Sequence, residues 1–142
     1  MKKYPNIFCM IPARIGSVRL KYKNLALIHN KAVIEYAIIN ALNSKIFSKI
    51  SVNSDSNIFE YFTKKYNIEF FKRKKKLASS SARSDDVIYN YIIENNLTEG
   101  TLVWLNPIAP LIDHDIIKHV IDKFIDLKLS SAVTSNIRKV HA

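Results

Sequence analysis

Glycine is almost missing from this sequence. The 142 residues include only Gly16 and Gly100, and no Gly-x-Ser-x-Gly elbow can be drawn from them, so a strained turn presenting a serine nucleophile is excluded. Cysteine is reduced to Cys9; a disulfide framework is therefore excluded, and a buried structural thiol in a reducing, cytoplasmic setting is expected. No apolar stretch reaches the length of a membrane span. The short one near the start is bounded by Pro5 and Pro12 and runs into Arg14 without a small-residue cleavage site, which argues against a signal peptide. His29, His114, His119 and His141 are scattered, and the i, i+5 spacing of His114 and His119 does not put them on one helix face. They read as surface or cap residues rather than a metal or catalytic cluster. Acidic residues are few, 12 against 22 Lys+Arg, for a net charge of +10. Much of the excess is lysine dispersed among Ile and Asn along the whole chain, so no nucleic-acid partner is expected.

What is present describes an ordinary globular chain. A hydrophobic share of 48% with 24% charged residues sets aside disordered and fibrous classes, and the length fits a single domain over residues 1–142 with a real core.

The most informative stretch runs from Ile11 to Asn24. An apolar run, Ile7 to Ile11, reads as a buried strand that breaks at Pro12 into a loop carrying Arg14, Arg19, Lys21 and Lys23 around Gly16 and Ser17. A glycine there suggests a backbone with positive φ or a close approach by a ligand. Successive N–H groups in such a turn form an anion-binding nest, and Arg and Lys neutralise what it collects. By spacing alone the loop reads equally well as a solvated, basic strand-to-helix connection.

Strands and helices then alternate. After the apolar Leu25–Ile28 and a turn at Asn30-Lys31, a helix is expected over about 33–43 with Ile34, Ala37, Ile38, Ala41 and Leu42 inward. A strand at Ile50–Val52 ends in Asn53-Ser54-Asp55-Ser56, residues suited to capping a helix over 57–66 that carries Ile58, Phe59 and Phe62 inward. A third strand, Ile68–Phe71, precedes the five basic residues Lys72 to Lys76. Ser84-Asp85-Asp86 offers an N-cap and an acidic first turn for a helix reaching Asn95. Thr101–Leu105 is a strand, Asn106 to Leu111 a proline-stiffened loop, and Asp113 or Asp115 opens a helix with Ile116, Val120 and Phe124 inward. Ser131–Thr134 reads as a last short strand, and most Tyr and Phe should be core.

This order predicts an α/β fold, a mostly parallel sheet with helices on both faces. Ligands of such sheets sit outside the carboxyl ends of the strands. The loops there, residues 14–24, 53–56, 72–84 and 106–111, gather basic residues, hydroxyls and amides on one rim.

The stretch Ile11-Pro-Ala-Arg-Ile-Gly-Ser-Val-Arg-Leu-Lys-Tyr-Lys-Asn-Leu25 resembles the opening signature of the acylneuraminate cytidylyltransferases, the CMP-sialic acid synthetase family. Further matches follow in the family's order: Ile34-Glu-Tyr36, Val52-Asn-Ser-Asp55, Phe71-Lys-Arg73 with Leu77-Ala78, Ser84 to Ile88, Leu105-Asn-Pro-Ile-Ala-Pro-Leu111 and Ser131-Ala-Val-Thr-Ser135. The resemblance implies a three-layer, Rossmann-like nucleotidyltransferase fold, here lacking the C-terminal part into which family members continue.

It also implies a reaction. Such enzymes let the anomeric hydroxyl of a nonulosonic acid attack the α-phosphorus of CTP, giving the CMP-sugar and pyrophosphate with Mg2+, and the protein's part is mostly positioning and charge management. Arg14 and Lys23 would act on the phosphates during transfer. Ala13, Arg14, Gly16, Ser17, Arg19, Lys23, Asn24, Arg73 and Ser84 would bind the nucleotide, and Asn106 the sugar, where many relatives carry Gln. Lys21 stands where Pro is frequent, and Ile112 replaces a common Arg. Asn24, where the Kdo-activating relatives have Pro, favours a sialic-acid-like substrate such as a sialic, pseudaminic or legionaminic acid. Family members supply an Asp-x-Asp metal pair and much of a homodimer contact beyond the position of Ala142, so the metal ligands are unassigned. The alternative is a truncated, inactive fragment that binds CTP.

Overall fold

The apolar run beginning at Ile7 forms the central strand. The computed structural model describes Tyr4 and residues 6–17 and 19–135. In it β1 (Ile7–Pro12) is flanked by β4 (Lys49–Ser54) and β6 (Thr101–Trp104), with β5 (Glu69–Lys72) outside β4, in a four-stranded parallel sheet ordered β5-β4-β1-β6. Cys9, Met10 and Ile11 are wholly buried, as a strand covered on both faces requires. Burial pushes the Cys9 thiol pKa far up, keeping it a neutral structural group. A separate antiparallel hairpin joins β2 (Leu27–Ile28) to β3 (Lys31–Ala32). Its two turn residues are His29 and Asn30, both at positive φ, as a hairpin loop of two residues demands.

Helices cover both faces. The chain steps outward from β1 to β4 to β5, and α1 (Val33–Ser44) and α2 (Glu60–Tyr66) cover one face, where Ile34, Ile38 and Phe62 meet Cys9, Ile11 and Val52. The return from β5 to β6 reverses direction, and right-handed crossovers then put its helix on the opposite face. That helix is α3 (Ser84–Glu94): Tyr91 lies edge-on to Phe71 at 5.0 Å and hydrogen-bonds Ser51 Oγ at 2.6 Å. α4 (His114–Asp126) returns to the first face, with Ile117 and Ile121 packed on Ile7 and Ile46.

Several expectations need correction. The buried stripe of α4 is Ile117 and Ile121, one position beyond the expected Ile116, which is about half exposed. Both registers satisfy a helical period; the one adopted packs Ile117 and Ile121 against Ile7 and Ile46. Leu42 and Ile58 also face solvent, as do Tyr22, Tyr61 and Tyr89. Residues 57–59 form a single 3-10 turn before α2, capped by Ser56. α3 begins at Ser84 itself, with no side-chain cap. The segment 131–135 forms no strand and is fully exposed; with Val133 its only large apolar residue, it has nothing to bury against a neighbour.

α1 is pinned to α2 by a buried carboxylate. Glu35 Oε2 accepts the Ala32 N–H at 2.8 Å, and its Oε1 accepts from Lys65 Nζ at 2.6 Å and Tyr66 OH at 2.7 Å. Burial pushes the Glu35 pKa up, but the bonds from Lys65, Tyr66 and the Ala32 N–H outweigh it and hold the group below its ordinary 4.5. A depressed carboxyl stabilises the fold above its unfolded pKa, and that stability is lost as pH falls through the lower native value. Glu35→Gln is therefore expected to cost about 2 kcal/mol at neutral pH and to flatten the loss of stability below pH 4.5. Urea melts from neutral to acidic pH check both; an acid limb unchanged by the substitution would contradict the assignment.

Candidate functional site

A cleft of about 250 Å³ opens at the carboxyl ends of β1, β5 and β6, beneath the start of α3. It borders the line between β1 and β6, on either side of which the chain's crossovers run in opposite directions, the place where open α/β sheets hold ligands. From the loop after β1 come Arg14, Lys23 and Asn24; from beyond β5, Arg73, Leu77 and Ser79 to Ala82 in part; from α3, Ser84 and Val87; from β6 and beyond, Trp104, Asn106 and Ile108.

Backbone pins hold the basic loop over the cleft. Ala13 N donates to Asn53 O at 2.9 Å and Ile15 N to Asp55 Oδ1 at 3.0 Å, tying the loop to the end of β4. Tyr22 then turns at positive φ into a 3-10 turn, Lys23–Leu25, that brings Lys23 and Asn24 back to the cleft. Asn24 Nδ2 donates to Arg14 O at 3.4 Å, while its Oδ1 is the only buried side-chain nitrogen or oxygen among the described residues without a partner. Arg14 reaches across to Ser79 O at 3.3 Å.

Arg73 is buried, only 5% exposed. Its Nε donates to Asn53 Oδ1 at 2.6 Å and its Nη2 to Asn53 O at 3.0 Å, while Nη1 has no protein partner among the described residues. None of the ion pairs among those residues includes it. Burial lowers the guanidinium pKa to about 10, with the charge of Asp55 opposing and that of Arg14 adding to the effect. The group is thus a desolvated cation at neutral pH without a neutralising contact, in a cavity that also holds Arg14 and Lys23.

Of the residues expected in a site, the cleft gathers Arg14, Lys23, Asn24, Arg73, Ser84 and Asn106. Ala13 is wholly buried at the end of β1, and Gly16, Ser17 and Arg19 lie outside the lining, on the arc of the loop. Of the two reasons expected for a glycine at position 16, positive φ does not hold, and a Cβ there would meet no protein atom within 4 Å. Sequence reasoning missed Trp104, although a strand's carboxyl-terminal residue was the place to look. It placed Asn53 in the 53–56 rim loop, among residues suited to capping a helix; the side chain is instead wholly buried at the end of β4, where it accepts from Arg73.

The donor set does not fit a ready-made magnesium site. No group of three or more His, Cys, Asp or Glu capable of holding a metal occurs among the described residues. Asp55, the carboxylate at the rim, already accepts the Ile15 N–H, and a hard divalent ion needs several oxygen ligands.

The cytidylyltransferase family model matches residues 8–141. The chain belongs to this family. It is 37% identical over 121 residues to the pseudaminic acid cytidylyltransferase of Campylobacter jejuni subsp. jejuni serotype O:2, covering 82% of this chain and 52% of that protein. It is 29% identical over 132 residues to the N-acylneuraminate cytidylyltransferase of Escherichia coli O18:K1:H7, covering 93% of this chain and 31% of that one. Among solved structures, a CMP:2-keto-3-deoxy-manno-octonic acid synthetase complexed with CTP superposes with a TM-score of 0.72 at 19% identity, over 85% of this chain and 48% of that chain. That likeness shows the α/β fold common to both. This cytidylyltransferase-family chain spans about half the length of the first curated relatives it matches. No helix among its described residues is long and apolar enough to cross a membrane.

Proposed function

We propose that this chain binds CTP in the cleft and serves the transfer of CMP to a nonulosonic acid of the pseudaminic or sialic type, with release of pyrophosphate. The observation that carries the reading is Arg73, a buried guanidinium in no ion pair among the described residues, in a cleft also lined by Arg14 and Lys23. The names of the relatives supply the nucleotide and the sugar class.

In that reading the sugar's anomeric hydroxyl oxygen, giving up its proton to solvent, forms a bond to the α-phosphorus as the α–β bridge breaks, and pyrophosphate leaves with the electron pair. Charge moves toward the leaving group, so fixed cations lower the barrier without reorganising. Arg14, Lys23 and Arg73 provide them. Ser84, at the uncapped start of α3, adds a hydroxyl and helix-terminal N–H groups suited to phosphate oxygens. Asn106 would hold the sugar. Magnesium, which the family resemblance implies, finds no ready-made ligand set among the described residues.

A second reading, binding of CTP without turnover, is favoured by the lack of any group of three or more potential metal ligands among the described residues, with one oxygen of Asp55 already taken by the Ile15 N–H. The chain's sole tryptophan lines the cleft, so its fluorescence should change saturably on CTP addition. Arg14→Ala should weaken CTP binding roughly 10- to 100-fold, the worth of a charge-assisted contact. Pyrophosphate release with CTP and pseudaminic or N-acylneuraminic acid supports transfer; CTP binding with no release from either acid supports the second reading. Absence of CTP binding by calorimetry would refute both.

A further inference from the structure

Arg73 is held from one side only, by Asn53. Both acceptors of that residue, the side-chain Oδ1 and the backbone O, engage the guanidinium, at 2.6 Å from Nε and 3.0 Å from Nη2. Asn53 is itself immobilised. It is wholly buried on the α3 face of β4, its Nδ2 donates to Met10 Sδ at 3.2 Å, and its backbone O also takes the Ala13 N–H. Arg73 N is fixed in turn by Ser54 O at 2.7 Å. This grip occupies one edge of the planar fork and leaves Nη1 with no protein partner among the described residues.

A carboxylate at position 53 would hold Arg73 more strongly than an amide does, but it would also neutralise it. The amide orients the guanidinium and leaves its charge uncompensated. Packing alone does not call for this arrangement, since an unpaired buried cation is unfavourable.

We propose that Asn53 is a positioning residue that aims the Nη1 edge of Arg73 at a polyphosphate in the cleft and, being neutral, preserves the charge that binds it. The inference rests on the CTP-binding reading above.

The test uses the full chain with CTP and inorganic tripolyphosphate as probes, measured by calorimetry over a range of salt, alongside thermal melts of each variant. Asn53→Asp should melt no lower than the parent yet bind both probes at least tenfold more weakly, with a shallower salt dependence, because the new carboxylate replaces the ligand's charge. That opposition between stability and binding is a signature no structural role would produce. Asn53→Ala should weaken both probes, and adding it to Arg73→Met should weaken them no further, since the two residues act as one unit. Parent protein that binds while Asn53→Asp and Asn53→Ala bind equally well, with cooperative melts, overturns the Asn53 assignment alone. Additive losses in the double variant overturn it too. Parent protein that binds neither probe sinks the nucleotide reading and this assignment together.

Discussion

Replacing Arg73 with methionine is expected to lower CTP affinity about a hundredfold or more while a cooperative thermal transition survives. The guanidinium is already desolvated in the free protein, so a bound phosphate meets a charge that has little hydration left to lose; removing one partner of a buried charge pair costs roughly 2–5 kcal/mol. The effect on folding is smaller because two contributions oppose. Methionine removes an unpaired buried cation, which favours the fold, and leaves Asn53 Oδ1 without its donor, which costs about 1–3 kcal/mol. Lysine should not rescue binding. Its single ammonium on a flexible stem cannot both satisfy Asn53 and present a second edge to the ligand. Calorimetry and differential scanning measurements on Arg73→Met and Arg73→Lys give the result directly. An affinity within threefold of the parent would remove Arg73 from the site and with it the observation on which the functional reading stands.

Gly100→Ala is expected to cost roughly 3–5 kcal/mol of stability and about 10–20 °C in Tm. Gly100 has φ +119°, and a Cβ built there lies 2.8 Å from Phe8 Cε2 and closer still to the backbone oxygen of Asn6. That oxygen is fixed, since it accepts the Thr101 N–H at 2.9 Å where β6 begins. A methyl group would have to push β6 away from β1. Gly16→Ala is the natural comparison: no positive φ and open space around the site predict a change within about 0.5 kcal/mol. Denaturant melts of the two variants should therefore differ widely. A loss at Gly100 below about 1 kcal/mol would mean that β6 shifts freely at its start.

The contrast between these glycines shows how far the sequence could be read. The parallel α/β order was legible because the apolar runs at Ile7, Val52 and Thr101 are separated by helical stretches, and a sheet buried on both faces needs such runs. The basic loop after Pro12 stood out through its density of cations, and six of the residues expected in a site converge on one cleft. Positive φ is a property of the turn rather than of the residue, so glycine in the basic loop pointed to Gly16 while the requirement fell on Gly100. Asn53 was hidden for a similar reason. At the end of a strand Asn reads as a cap, and only the pairing of β4 with β1 and β5 reveals that its side chain points into the sheet's covered face beneath an arginine twenty positions on. The rotation of α4 escaped because Ile116, Ile117, Val120 and Ile121 support two apolar stripes, and only packing against Ile7 and Ile46, distant in sequence, distinguishes them.

The central strand receives its two neighbours at very different times. β1 pairs with β4 after one short crossover, but its other edge waits for β6, whose Thr101 lies opposite Ile7. At ribosomal speeds of roughly 5–20 residues per second, that gap lasts about 5–20 seconds. During it one edge of the nascent sheet stays open and the face later covered by α4 is bare. The β6 edge of the central strand can thus close only once the segment up to Thr101 has been made.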